Sequence, residues 1–191
     1  MQFINLNITK QEKLVFNKPG NYVVFFHNLS GKFIFEIKER NVCLDIFGLF
    51  TGKGSDNFQV ETQQYHMSPQ STSNLLIKGV FQDQSKFKLR GLIRIEKTAQ
   101  NSHAYQKNKN LVLSESVFVD SKPELEILAD EVYCTHGSST GRLNENELKY
   151  LLARGVSRKY AEKLLREGFI NDLIDLLNKK VNYPLQLSSY V

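Results

Sequence analysis

The chain has 191 residues, 41% of them hydrophobic, with 13 Phe and no Trp, which is enough apolar side chain for one domain or one and a half. A net charge of +5 at neutral pH permits nucleic acid or acidic partners without demanding them. Two cysteines far apart, Cys43 and Cys134, argue against a disulfide framework, Met1–Lys13 is too polar for a signal peptide, and no run approaches the ~20 apolar residues of a membrane helix, so a cytoplasmic chain is expected.

From Leu14 to Leu49 the apolar residues come in short runs without helical period. Tyr22–Phe26 is a continuous aromatic and β-branched run. Phe33, Phe35 and Ile37 alternate with Ile34, Glu36 and Lys38, and Val42, Leu44 and Ile46 with Cys43, Asp45 and Phe47. These spacings predict strands separated by turns at 28–31 and 39–41. Cys43, out of phase with its neighbours, is assigned no function. Thr51-Gly52-Lys53-Gly54-Ser55 invites a phosphate-loop reading but lacks the G-x-x-x-x-G-K-[ST] spacing, so it reads as a turn.

Strands resume from Phe58 to Glu96 on the alternations Phe58, Val60, Thr62 and Phe87, Leu89, Gly91, Ile93, Ile95. Lys86, Lys88 and Arg90 share the opposite face, a basic stripe that reads as solvated. Gln82–Ser85 is a turn. With no helix between these strands, β-α-β units are not expected; a sandwich, a barrel and a β-helix all remain open, and no strict internal repeat is visible. Thr98–Lys109 is polar and rich in Asn, Gln and Lys. His66 and His103, each alone among polar neighbours, read as surface residues.

Ser121–Leu143 holds the one cysteine–histidine pair at short spacing, Cys134-Thr135-His136. On an extended backbone such residues share a face, roughly 6.5–7 Å apart. A thiolate and an imidazole together suit zinc or iron, but two ligands do not close a site. The alternative is that Cys134 is a small buried hydrophobe and His136 caps a turn.

Beyond Leu143 the period changes. Asn144 can cap a helix while Glu147 reaches back to it. Leu148, Leu151 and Leu152 follow at helical spacing, and Gly155 ends that helix. Ser157 can cap a second with Ala161, Leu164 and Leu165. Gly168 then precedes a third stripe, Ile170, Leu173, Ile174 and Leu177, stopped at Asn182-Tyr183-Pro184.

The run K-P-E-L-E-I-L-A-D-E-V-Y-C-T-H-G-S-S-T-G-R-L resembles the core motif of the SufB/SufD family of iron–sulfur cluster assembly proteins. E-L-K-Y-L-L-A-R-G-V-S and A-E-K-L-L-R-E-G-F continue it downstream; S-T-S-N-L-L-I-K-G-V-F, G-L-I-R-I and A-Q-N-S-H-A-Y-Q-K-N-K-N-L-V-L-S extend it upstream. The resemblance runs from about Val60 to Phe169, and it implies that Thr98–Lys109 is a connecting segment before the L-V-L-S strand. It implies a mostly β fold, a right-handed β-helix-like core over 1–143 (the SufBD core) followed by a short C-terminal α-helical segment over 144–191. It implies a non-catalytic scaffold rather than an enzyme, in a dimer with a SufB-like paralogue or itself through a β-edge, beside SufC, an ABC-type ATPase. His136, with Cys134, would contribute to a cluster or metal site at a subunit interface, holding a transient iron–sulfur cluster shared with the partner and none stably alone. Tyr150, Arg154, Gly155 and Phe169 would dock the ATPase.

Within the family the C-x-H-G pattern of Cys134, His136 and Gly137 is SufD-like. SufB-like chains follow the histidine with a carboxylate and carry a sulfur-accepting cysteine on the preceding strand, where this sequence has Asn108-Lys109-Asn110-Leu111-Val112. Typical members are about twice as long, which makes this a short form. Two other readings remain open. A nucleic-acid-binding module would use the turn Arg154-Gly155-Val156 and the basic residues Arg158, Lys159, Lys163 and Arg166. A metal-dependent hydrolase lacks any H-x-x-x-H or H-E-x-x-H.

Overall fold

The computed structural model describes residues 1–181. Along the chain run β1 (Gln2–Asn5), α1 (Leu6–Thr9), β2 (Lys13–Phe16), β3 (Gly20–His27), β4 (Gly31–Ile37), β5 (Val42–Gly52), β6 (Asn57–His66), β7 (Thr72–Phe81), β8 (Lys86–Ile95), β9 (Ser102–Val112), β10 (Phe118–Ile127), β11 (Val132–Gly141), α2 (Glu145–Ala153) and α3 (Arg158–Lys180). Successive strands alternate between two sheets, ordered β1-β3-β5-β7-β9-β11 and β10-β8-β6-β4-β2, with parallel pairing throughout. Two consecutive strands therefore make one coil, and the coils stack. Of the three β architectures open to the alternation, this is the β-helix-like solenoid.

The repeat that the sequence hides is present in the register. Phe35 lies opposite Gln64 and Gln64 opposite Ile93, a step of 29 residues each time. At one corner of the coil Asn41, Gln70 and Asn101 all adopt left-handed backbone, with φ of 56°, 56° and 58°. Gly54 and Asp83 do the same at the other corner, with φ of 57° and 59°. Asn and Asp accept that conformation more readily than most side chains. The repeat is thus one of backbone geometry, carried by different residues, which is why self-comparison misses it.

Phenylalanines fill the lower interior. Ring centroids are 5.1 Å apart for Phe26–Phe33, 5.3 Å for Phe50–Phe58, 4.9 Å for Phe50–Phe87 and 5.0 Å for Phe81–Phe87. The predicted inward residues Phe33, Phe35, Ile37, Val42, Leu44 and Ile46 are all buried. Full burial of each such side chain is worth about 1.5–3 kcal/mol. The short helix α1 buries Leu6 at this end of the stack.

The outer face of the first sheet is also apolar, and α3 covers it. Ile170, Leu173, Ile174 and Leu177 pack on Val23, Phe25, Phe47, Leu49 and Val80. This explains why Tyr22–Phe26 reads as a continuous apolar run: its residues face two cores alternately. Two ion pairs tie the helix down. Lys180 meets Asp45 at 2.7 Å, and Lys78, whose side chain is 3% exposed, meets Asp172 and donates to the Phe169 carbonyl at 2.7 Å. Burial pushes the Lys78 ammonium below its usual range, against the pull of Asp172; the same contact holds the Asp172 carboxyl below the usual carboxylate range.

Five expectations need correction. Gly168 does not break a helix: α3 runs unbroken over 23 residues. The glycine stands on the exposed side, where its cost of about 1 kcal/mol is outweighed by the stripe buried beneath it. Ser157 stands at the N-cap but makes no side-chain capping bond, whereas Asn144 accepts from the amides of Asn146 and Glu147 as expected. The stretch Thr98–Lys109 is not a connector, because most of it lies in β9. His66 is not a surface residue: it is fully buried, with Nε2 2.7 Å from Ser73 Oγ, and burial lowers its pKa to about 4. His103 is half-buried, its ring edge-on to Tyr133. The expected stop at Asn182-Tyr183-Pro184 lies outside the described residues, beyond the end of α3 at Lys180.

Candidate functional site

The last coil is built differently from those below it. In β9 the inward positions are Ala104, Gln106, Asn108 and Asn110, all buried. In register above them on β11 stand Cys134, His136, Ser138 and Thr140. The polar floor is internally bonded: Asn110 Nδ2 donates to Asn108 Oδ1 at 2.6 Å and to Thr140 Oγ1 at 3.3 Å, and Ser138 Oγ donates to Asn108 Oδ1 at 3.4 Å. Gln106 fits because its neighbour across the interior is Gly91, whose carbonyl accepts from it at 3.4 Å; a Cβ on Gly91 would occupy the amide's place. On the other sheet Val119, Ser121, Pro123, Leu125 and Ile127 of β10 lie over Phe87, Leu89, Gly91, Ile93 and Ile95.

Nothing among the described residues lies above this coil in either sheet. β11 ends one sheet and β10 the other, so each strand pairs along one edge. Leu125, Ile127, Leu128 and Tyr133 are exposed there.

Cys134 and His136 do share a face, as an i, i+2 pair on a strand must. The pair lies within β11, so the turn-capping alternative for His136 fails. Cys134 is half-buried against the small cluster of Ile93, Ile95, Ala99, Ala104 and Ala129. Burial pushes its thiol above the ordinary range, and a backbone hydrogen bond at Ala104 pulls the other way. A metal at that sulfur must therefore displace a firmly held proton. His136 is exposed opposite Gln106. Among the described residues no group of three or more His, Cys, Asp or Glu could hold a metal ion. The pair can supply two donors, and any further donors must come from elsewhere.

The helical residues fall into two places. The Arg154 guanidinium lies 5.0 Å over the Tyr150 ring at the end of α2, and Gly155 follows with φ of 81° in the turn to α3. Phe169 faces the solenoid instead, with Lys78 Nζ 4.5 Å above its ring. It also lines an apolar cleft with Leu143, Glu147 and Leu165, and the last two residues border a second cleft at Tyr150 and Leu151.

Sequence reasoning missed the polar floor. Gln106, Asn108 and Asn110 recur at the strand spacing of two, and that signal was available; their polarity hid it, since inward strand positions are expected to be apolar.

Residues 30–169 match the family described as SUF system FeS cluster assembly, SufBD core domain. The iron–sulfur cluster assembly protein SufD of Escherichia coli (strain K12) is 29% identical over 154 residues, 81% of this chain and 36% of that protein. SufD of Bacillus subtilis (strain 168) is 32% identical over 126 residues, 66% of this chain and 29% of the relative. An iron–sulfur cluster assembly SufBD family protein of Synechocystis is 35% identical over 107 residues, 56% of this chain and 24% of the relative. The chain therefore spans about a quarter to a third of the length of these relatives. The parallel solenoid, the C-x-H-G strand on its last coil and a family match over most of the chain agree: the protein belongs to the SufBD core family of SUF-system iron–sulfur cluster assembly.

Proposed function

We propose that the chain is a scaffold subunit in SUF-type cluster assembly, without catalytic chemistry of its own, whose last coil forms half of a site completed by a second chain. The carrying observation is the open coil itself, with two strand edges unpaired among the described residues, exposed apolar residues and an inward Cys134–His136 pair over a polar floor. An unpaired edge of ten residues is a template for another strand. A SufB-like paralogue or a second copy would pair there and bring the remaining donors. His136 then offers a neutral imidazole to iron, and Cys134 a sulfur once its proton is displaced. The cluster is cargo, held between the two chains and passed on. Tyr150 and Arg154, with the apolar clefts beside them, would dock a SufC-like ABC ATPase. A cytoplasmic site of action belongs to the same reading. No helix among the described residues is long and apolar enough to cross a membrane.

The test is anaerobic iron and sulfide content of the complex co-expressed with its SufB-like and SufC-like partners. His136→Ala should lower cluster content while both partners still co-purify. Cluster content equal to wild type would remove His136 from the site. Tyr150→Ala should release the ATPase and leave the β-edge partner bound. Deleting everything after Leu143 is the wrong tool for this, because it would uncover Phe25, Phe47 and Leu49.

A further inference from the structure

A cleft separates the first half of α3 from the turns of the solenoid. It has a volume of about 570 Å³ and continues past Gln82 and Arg166 into a second space of about 460 Å³. Both fall in the size range of small-molecule sites. Lys159, Lys163 and Arg166 line its helical wall at i, i+4 and i+7, one face of α3 over roughly 10 Å.

The charges on these walls do not balance. Arg158 is paired with Glu162 at 2.8 Å, Lys163 with Glu167 at 3.6 Å and Arg142 with Glu115 at 3.4 Å. The acids are engaged too: Asp83 accepts from the Gly54 amide at 2.8 Å, and Glu145 lies 3.8 Å from Lys149. Among the described residues, Arg166 and Lys159 have no hydrogen bond or ion pair. Arg166 Nε is buried without an acceptor. A buried guanidinium N–H left unpaired is costly and calls for an explanation. The N-terminus of α3 adds to the imbalance: Ser157 makes no side-chain cap, so the first-turn amides and the positive end of a 23-residue helix lie beside Lys159.

We propose that this cleft binds a small phosphate-bearing anion, with Arg166 as the anchor and Lys159 as the second cation. Five cationic and three acidic side chains line the first space, an excess of positive charge that suits an anion. A guanidinium fork fits the oxygens of a phosphate, and an ammonium serves as a point charge beside it. Neither Arg166 nor Lys159 is assigned above to cluster or ATPase, so the proposal stands or falls independently of that role.

The test is calorimetric titration of the full chain with pyrophosphate at low salt, with citrate as the carboxylate control. Saturable one-to-one binding of pyrophosphate is expected. Arg166→Gln should weaken it about tenfold or more and Lys159→Gln about threefold or more, as for charged hydrogen bonds and a screened charge. Arg166→Gln should keep the wild-type melting temperature, since its Nε supports no contact. Absence of saturable binding, or unchanged affinity in Arg166→Gln, overturns the proposal. Citrate binding as tightly as pyrophosphate overturns the assignment to phosphate. Should Arg166→Gln fail to fold, Lys159→Gln on the exposed side decides: unchanged affinity there rejects the site.

Discussion

The lower coils and the last coil share one backbone and differ in what fills it. Below, stacked phenylalanines close the interior and α1 covers the end. Above, Gln106, Asn108 and Asn110 form a polar floor under Cys134, His136, Ser138 and Thr140, and no strand among the described residues pairs with the outer edges. A parallel solenoid can do this because strand-to-strand hydrogen bonds hold each coil whatever side chain points inward. Stability can therefore be concentrated in one part of the stack, leaving another free to present polar groups to a partner.

Breaking the aromatic stack should give the largest loss. Phe50 touches the rings of Phe26, Phe58 and Phe87. Phe50→Ala should cost about 3–5 kcal/mol in urea unfolding. A loss under ~1 kcal/mol would mean that the lower interior is not where the stability lies.

His66 sharpens the comparison, since it is a polar residue placed within the lower coils. Its folded pKa is about 4 against an ordinary 6.5. Between those values the unfolded chain binds a proton that the folded chain does not, so stability rises with pH. The contribution is fully present above about pH 6.5 and is lost as pH falls to about 4, for a total near 3 kcal/mol. Urea midpoints at pH 7 and pH 4.5 should differ markedly in wild type and much less in His66→Gln. Equal pH dependence in the two would show that His66 does not titrate in this way.

The clamp on α3 comes next. Asp172→Asn leaves the Lys78 ammonium under the helix with the Phe169 carbonyl and ring for company. Because Asp172 is itself 60% exposed, the expected cost is about 1–2 kcal/mol rather than that of a fully buried pair. Unaltered chemical denaturation would show that the apolar stripe alone seats the helix.

The smallest effect belongs to the open coil. His136→Ala should change the stability of the isolated chain by no more than about 0.5 kcal/mol, because the side chain is exposed on an edge strand. A thermal melt that fell by many degrees would make His136 a packing residue like Phe50 and erase the distinction between the two ends.

Much of the local structure was legible in the residues. The alternation of Phe33, Phe35 and Ile37, and of Phe87, Leu89, Ile93 and Ile95, fixed which side chains face inward, because successive strand residues must point to opposite faces. Asn144 with Glu147, and Gly155 at φ of 81°, marked helix ends through backbone groups that need a partner or a left-handed bend. The C-x-H-G stretch fell on one strand with Cys134 and His136 on one face, again by period alone.

Tertiary structure decided the rest. Strand period says nothing about which strand lies beside which, so the two-sheet stack came from the register and the family resemblance came from motifs. His66 and Lys78 are polar residues whose burial the strand period does not show: His66 turns inward to Ser73 on the next strand, and Lys78 is covered by a helix whose Asp172 lies far along the chain. The continuity of α3 through Gly168 was settled by the apolar face it covers, a gain larger than the local cost of the glycine. Local propensity is a difference of about 1 kcal/mol or less, whereas burial against a distant surface is worth several, and that burial exists only once the chain has folded.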